Sequence, residues 1–211
     1  MRNILQNLDW SVLGDMLFKA LPALICITFH ELSHGYVAYR LGDDTAKSMG
    51  RLTLNPIKHI DIMGLVSIML FGFGWAKPVP VNMMNFKNPK RGMAITALAG
   101  PASNLVLAVV FLALYKLLAR HLIISEIMFY VLRMILMTAY ISIALAIFNL
   151  IPIPPLDGSK VLFSVISDSA YYKLMRYERY GSVVLVALLL TGVISKPLGA
   201  ATQFVFQKLL F

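Results

Sequence analysis

Long apolar runs set the first limit on what this chain can fold into. The stretches Met93 to Leu118 and about Ile123 to Leu150 are each long enough to cross a bilayer as a helix, which takes about 20 apolar residues. Another, from about Trp10 to Tyr39, is longer still and carries Asp15, Lys19, His30, Glu31 and His34 within it. The run Gly181 to Phe211 is interrupted by Lys196-Pro197 and reads as one span plus an interfacial helix. Ahead of Met93 lies the shorter run Ile62 to Trp75, broken by Gly64, Gly72 and Gly74, which reads as a re-entrant or interfacial segment. In lipid, helices and closed barrels alone satisfy their own backbone, so the expected fold is an all-α polytopic membrane protein with about 4–6 membrane segments.

The charge pattern supports this. Only 14% of the 211 residues are charged, against about 25% in an average soluble domain. A net charge of +9 does not point to nucleic acid, because the basic residues lie between apolar runs rather than on one face. If Ile62 to Trp75 does not cross, the loops Arg40 to Arg91 and Gly158 to Tyr180 share one side of the membrane and hold 12 of the 19 Lys and Arg residues. The positive-inside rule then places both loops in the cytoplasm and the N-terminus outside. Cys26 stands alone in an apolar run, which excludes a disulfide-built scaffold. With no linker-like tract, residues 1–211 read as a single membrane-embedded domain. Its core covers 10–158 and its C-terminal membrane segments 181–211. The first span lacks the order of a cleaved signal and reads as permanent.

Polar residues deep in a span need a reason. His30-Glu31-Leu32-Ser33-His34 supplies one: histidines at i and i+4 project from the same helix face, so two imidazole nitrogens can reach one Zn²⁺. Glu31 between them is the acid-base partner of a hydrolase, placed to take a proton from the attacking water. The bland alternative is a set of interfacial polar residues capping a span. A catalytic zinc needs a third protein ligand, and His59, His121 and several carboxylates are candidates. Asp157 is the strongest, since it follows Asn149-Leu150-Ile151-Pro152-Ile153-Pro154-Pro155-Leu156, where three prolines break a span. On turn chemistry alone, Asp157-Gly158 reads as a turn leaving the membrane.

The pair of motifs, H-E-L-S-H in an apolar span and N-L-I-P-I-P-P-L-D-G far downstream, closely resembles the site-2 protease family of intramembrane zinc metalloproteases. The likeness extends to Gly50–Asp61, Trp75–Asn82 and Ala99–Asn104, covering about Phe29 to Gly158. It implies that His30, His34 and Asp157 bind one zinc ion, that Glu31 activates water, and that Asn149 positions the scissile peptide or its oxyanion. It also implies a small extended or β element near the active site at Trp75 to Asn82, where an unwound substrate adds a strand. Pro78 and Pro80 lack amide donors, so that pairing is expected to be partial. His59 reads as structural, bonded to Asp61 or a loop carbonyl. The small residues of Ala99–Asn104 read as close helix packing beside the site, with Asn104 part of that packing.

The expected function is therefore an intramembrane zinc metalloendopeptidase. Its substrates would be transmembrane helices or membrane-tethered remnants, and its active site would lie toward the cytosolic side of the cytoplasmic membrane. With neither a PDZ nor a nucleotide-sensing module in the sequence, substrate choice falls to the membrane core or a separate adaptor. Two other classes compete. One is a catalytically silent membrane binding protein of the same fold, against which the intact His30, Glu31, His34 and Asp157 speak. The other is an ion or metal transporter, for which paired repeats are wanting.

Overall fold

The computed structural model describes residues 10–61, 63–64, 76–121 and 125–211. Among the described residues seven helices follow one another: α1 (Trp10–Arg40), α2 (Thr45–Ser48), α3 (Pro89–His121), α4 (Glu126–Asn149), α5 (Asp157–Ser164), α6 (Asp168–Leu190) and α7 (Ser195–Leu210). Short 3-10 turns stand at Pro56–His59 and Met83–Asn85. Local sequence sets several of the helix starts. Ser125 caps α4 by accepting from the Met128 amide, and Ser167 caps α6 by accepting from the Ala170 amide. Pro22 lies inside α1 and Pro101 inside α3, positions tolerated in membrane helices where neighbours re-satisfy the freed backbone.

The helices α1, α3 and α4 pack on one another, α5 rests on α3, and α7 rests on α4. Lipid is as apolar as leucine, so association here depends on close packing and polar contacts. Cys26, Ala108, Ala139, Ser142 and Ala146 are all fully buried, small enough to let helix backbones approach. Two hydrogen bonds tie the bundle: Cys26 Sγ donates to Thr138 O at 3.4 Å, and the Ser142 hydroxyl to Asn104 O at 2.8 Å. Val106, Val109, Val110 and Leu117 face outward on α3, as a lipid-facing surface requires.

The all-α expectation holds among the described residues, which show part of the expected about 4–6 spans. Among them two helices are long and apolar enough to cross a membrane, Pro89–Arg120 and Glu126–Asn149. A third is added if Tyr180–Leu190 and Ser195–Leu210, bent by 79° at their junction, form one broken span. The re-entrant reading of Ile62 to Trp75 falls almost wholly outside the described residues, which include only Met63 and Gly64 of that run.

Nor is the small extended or β element seen as a strand. Among the described residues there is no strand, and Ala76–Val81 runs as irregular backbone, with Trp75 outside the described set. Its donors explain why. Pro78 and Pro80 have no N–H, the Lys77 amide donates to His59 O at 3.0 Å, and the Val79 amide donates to a Glu31 carboxylate oxygen at 2.8 Å. Just beyond, the Asn82 amide donates to Asp43 at 2.7 Å. Arg51 holds the carbonyls of Lys77 and Pro78 at 2.8 and 3.2 Å. The segment is a strap fastened to side chains rather than a ladder. Burial alone would push the Asp43 carboxyl up, but hydrogen bonds from Thr45, Asn82 and Asn85 hold it below its ordinary value.

Candidate metal centre

His30 and His34 lie one turn apart on α1, their rings edge to face with centroids 4.5 Å apart. Asp157 reaches them from the first turn of α5, 127 positions along the chain from His30. Helix α4 stops at Asn149, the chain runs irregularly through residues 150–156, and α5 opens at Asp157. A carboxylate in the first turn of a helix is favoured by the unpaired amides there. Gly158 lets the chain fold back this tightly: a Cβ on it would stand 2.2 Å from the Leu150 carbonyl oxygen. The irregular stretch is covered by protein, with Leu156 packed against Leu185 and Ile194 and its carbonyl accepting from the Ser159 hydroxyl at 2.7 Å.

The Nε2 atoms of His30 and His34 each lie 3.1 Å from Asp157 Oδ2, and all three side chains are buried. One ligand atom from each falls within 4.8 Å of the other two. Tetrahedral zinc, with bonds of 2.0–2.1 Å, sets its ligand atoms about 3.3 Å apart, which this spacing fits. Proton placement gives an independent test. His34 Nδ1 is 2.7 Å from the Thr96 carbonyl, which can only accept, so Nδ1 carries the proton. In the neutral ring the Nε2 lone pair then faces a carboxylate oxygen, another acceptor. Two acceptors at that distance require a cation between them, either a second proton or a metal ion. Lys160 Nζ lies 3.7 Å from Oδ1, the other carboxylate oxygen, leaving Oδ2 to the histidines.

Glu31 stands outside this cluster of three and accepts from the Val79 amide of the strap. Asn149, half-buried at the end of α4, donates to Leu145 O at 3.0 Å and forms no hydrogen bond with the cluster. His59 is 2% exposed and bonded to the Thr53 carbonyl at 2.9 Å, a structural role. His121 ends α3.

The contribution of α3 lies beyond what the sequence suggests. Gly100 sits against both imidazoles: a Cβ there would be 2.4 Å from His34 Nε2 and 2.6 Å from His30 Cε1. Thr96 supplies the carbonyl behind His34, and Asn104 Nδ2 lies 3.2 Å from His30 Nδ1. The run Ala99–Asn104, read as packing, is thus part of the site. The small residues were the available signal. The backbone carbonyl of Thr96 leaves none.

Comparison with known proteins gives one family match, to Peptidase family M50, over residues 123–192. That stretch includes Asn149 and Asp157. The Bacillus subtilis protein named "Putative zinc metalloprotease YwhC" is 39% identical over 201 residues, spanning 89% of this chain and 84% of that protein. The Mycolicibacterium smegmatis protein named "Putative zinc metalloprotease Rip2" is 32% identical over 194 residues, spanning 88% of this chain and 71% of that protein. No solved structure matches the chain significantly.

Proposed function

The chain belongs to Peptidase family M50, the site-2 protease family, and is a membrane zinc metalloprotease; we propose that it cuts its substrates inside the bilayer. The observation that carries this reading is the buried cluster of His30, His34 and Asp157 on apolar helices, with Glu31 beside it. We take His30, His34 and Asp157 as the ligands of one zinc ion. Bound there, zinc supplies Lewis-acid polarisation of the scissile carbonyl and lowers the pKa of the attacking water.

The rest falls to the protein. Glu31 takes the proton of the water as it attacks and returns it to the departing amine, so no covalent enzyme intermediate forms. Its carboxylate is aimed by the Val79 amide. Asn149 keeps a second amide proton beyond the one given to Leu145 O, which it offers to the oxygen of the scissile peptide. A helical substrate shields its carbonyls in backbone hydrogen bonds, so it must unwind first, and helix-weakening residues such as glycine favour this. Since the strap's amides are already spent, the substrate pairs there only in part.

Residues 1–211 act as one membrane domain. Helix α1, packed on both spans, joins them as a membrane segment, and with the run 62–75 and the C-terminal pair the total reaches about 4–6. The basic loops place the site toward the cytosol in the cytoplasmic membrane, where they admit the water that hydrolysis consumes. Substrate choice falls to the membrane core or to a separate adaptor.

The test is cleavage of a model transmembrane segment with soluble flanks by the purified protein, with the cut located by mass spectrometry. Cleavage within the apolar segment, abolished by a chelator and restored by zinc, is expected. Cuts confined to the soluble flanks would refute the intramembrane reading.

A further inference from the structure

We infer that Asn104 is a positioning residue for the metal centre: its buried carboxamide serves Nδ1 of His30 in either tautomer and gives Nδ1–H an acceptor when His30 holds metal. This rests on the metal-centre reading above.

Asn104 is fully buried in α3, and its main-chain carbonyl is fixed by the Ser142 hydroxyl at 2.8 Å. Its Nδ2 lies 3.2 Å from His30 Nδ1, while its Oδ1 is buried without a hydrogen-bond partner. With the amide turned this way, Nδ2–H donates to Nδ1. The proton of a neutral His30 then sits on Nε2, donated to Asp157 Oδ2 at 3.1 Å. Metal binding needs the Nε2 lone pair, so the ring proton must move to Nδ1 and find an acceptor there. A half-turn of the carboxamide brings the unpartnered Oδ1 to that position, since the two ends of an amide are nearly the same shape.

The two histidines are therefore held differently by one helix. The Thr96 carbonyl can only accept, so His34 is fixed in the tautomer that binds metal. Asn104 can serve either tautomer of His30. An aspartate would hold the metal-binding tautomer more firmly, but it would add a second buried carboxylate beside His30 to that of Asp157. Asparagine avoids that repulsion.

The full chain in detergent is tested by zinc competition against a chelator and by the visible absorption of its cobalt-substituted form, for wild type, Asn104→Leu and Asn104→Asp. Leucine keeps the volume and removes both hydrogen-bonding groups. It is expected to weaken zinc binding about 10–100-fold, the usual cost of losing an outer partner of a ligating histidine. Asn104→Asp, which supplies an acceptor, is expected to match or exceed wild type, and the cobalt spectrum should shift in the leucine variant alone. Wild-type affinity in Asn104→Leu overturns the inference, as does an equal loss in Asn104→Asp. If the leucine variant does not fold, the aspartate variant decides, affinity kept or gained supporting the inference and a tenfold loss refuting it. Wild type without zinc overturns the metal-centre reading itself, and this inference with it.

Discussion

Glu31→Gln is expected to lower proteolysis by about 10²–10⁴-fold, the range over which a positioned general base contributes, and to leave zinc content unchanged. The substitution removes the basic oxygen and little else. Glutamine has the same shape, and its carbonyl oxygen can still accept the Val79 amide that meets Glu31 at 2.8 Å, so the strap stays fastened. Glu31 is not one of the three clustered ligand residues, which is why the metal should remain. A single-turnover assay in detergent, with zinc measured on the same sample, reads both effects. Full activity in the variant would mean that another group takes the proton. Loss of zinc would mean that Glu31 is a ligand.

Gly100→Ala is expected to abolish zinc binding with the fold intact, weakening affinity by more than the 10–100-fold typical of outer partners. The added methyl would stand 2.4 Å from His34 Nε2, the ligand atom itself, and 2.6 Å from His30 Cε1. Neither side can give way cheaply. His34 is held from behind by Thr96 and His30 by Asn104, both on the same helix as the glycine. Relief would need α3 to move off α1 and α4. Alanine is otherwise the better helix former, but overpacking so close a contact costs about 1–3 kcal/mol, so the metal-free protein should melt somewhat lower while the metal is lost. Chelator competition together with a melting curve checks this, and wild-type affinity in the alanine variant would show that α3 does not press on the imidazoles as described.

The site was more legible in the sequence than the fold around it. Residues at i and i+4 share a helix face whatever the tertiary structure, so His30 and His34 announce a two-ligand arm from spacing alone. Asp157 did not announce itself: a proline break followed by Asp-Gly suits a turn as well as a ligand. Resemblance, not periodicity, selected it before the structure put its Oδ2 3.1 Å from both histidines.

What stayed hidden depended on partners far away in the chain. Thr96 acts through a carbonyl that every residue possesses, and Asn104 meets His30 from 74 positions away. The family resemblance implied an extended or β element over Trp75 to Asn82, yet a strand needs a row of free donors and acceptors. Here the amides go to Glu31 and Asp43. Of the expected spans, the described residues show two helices that are long and apolar enough to cross, with a third if the bent C-terminal pair is one span.

Zinc content of the purified wild type and of Asp157→Ala tests most directly whether His30, His34 and Asp157 together hold the metal. One zinc per wild-type chain and little or none in the folded variant is the expected result. A variant that keeps its full zinc would place the third ligand elsewhere and contradict the assignment of this centre.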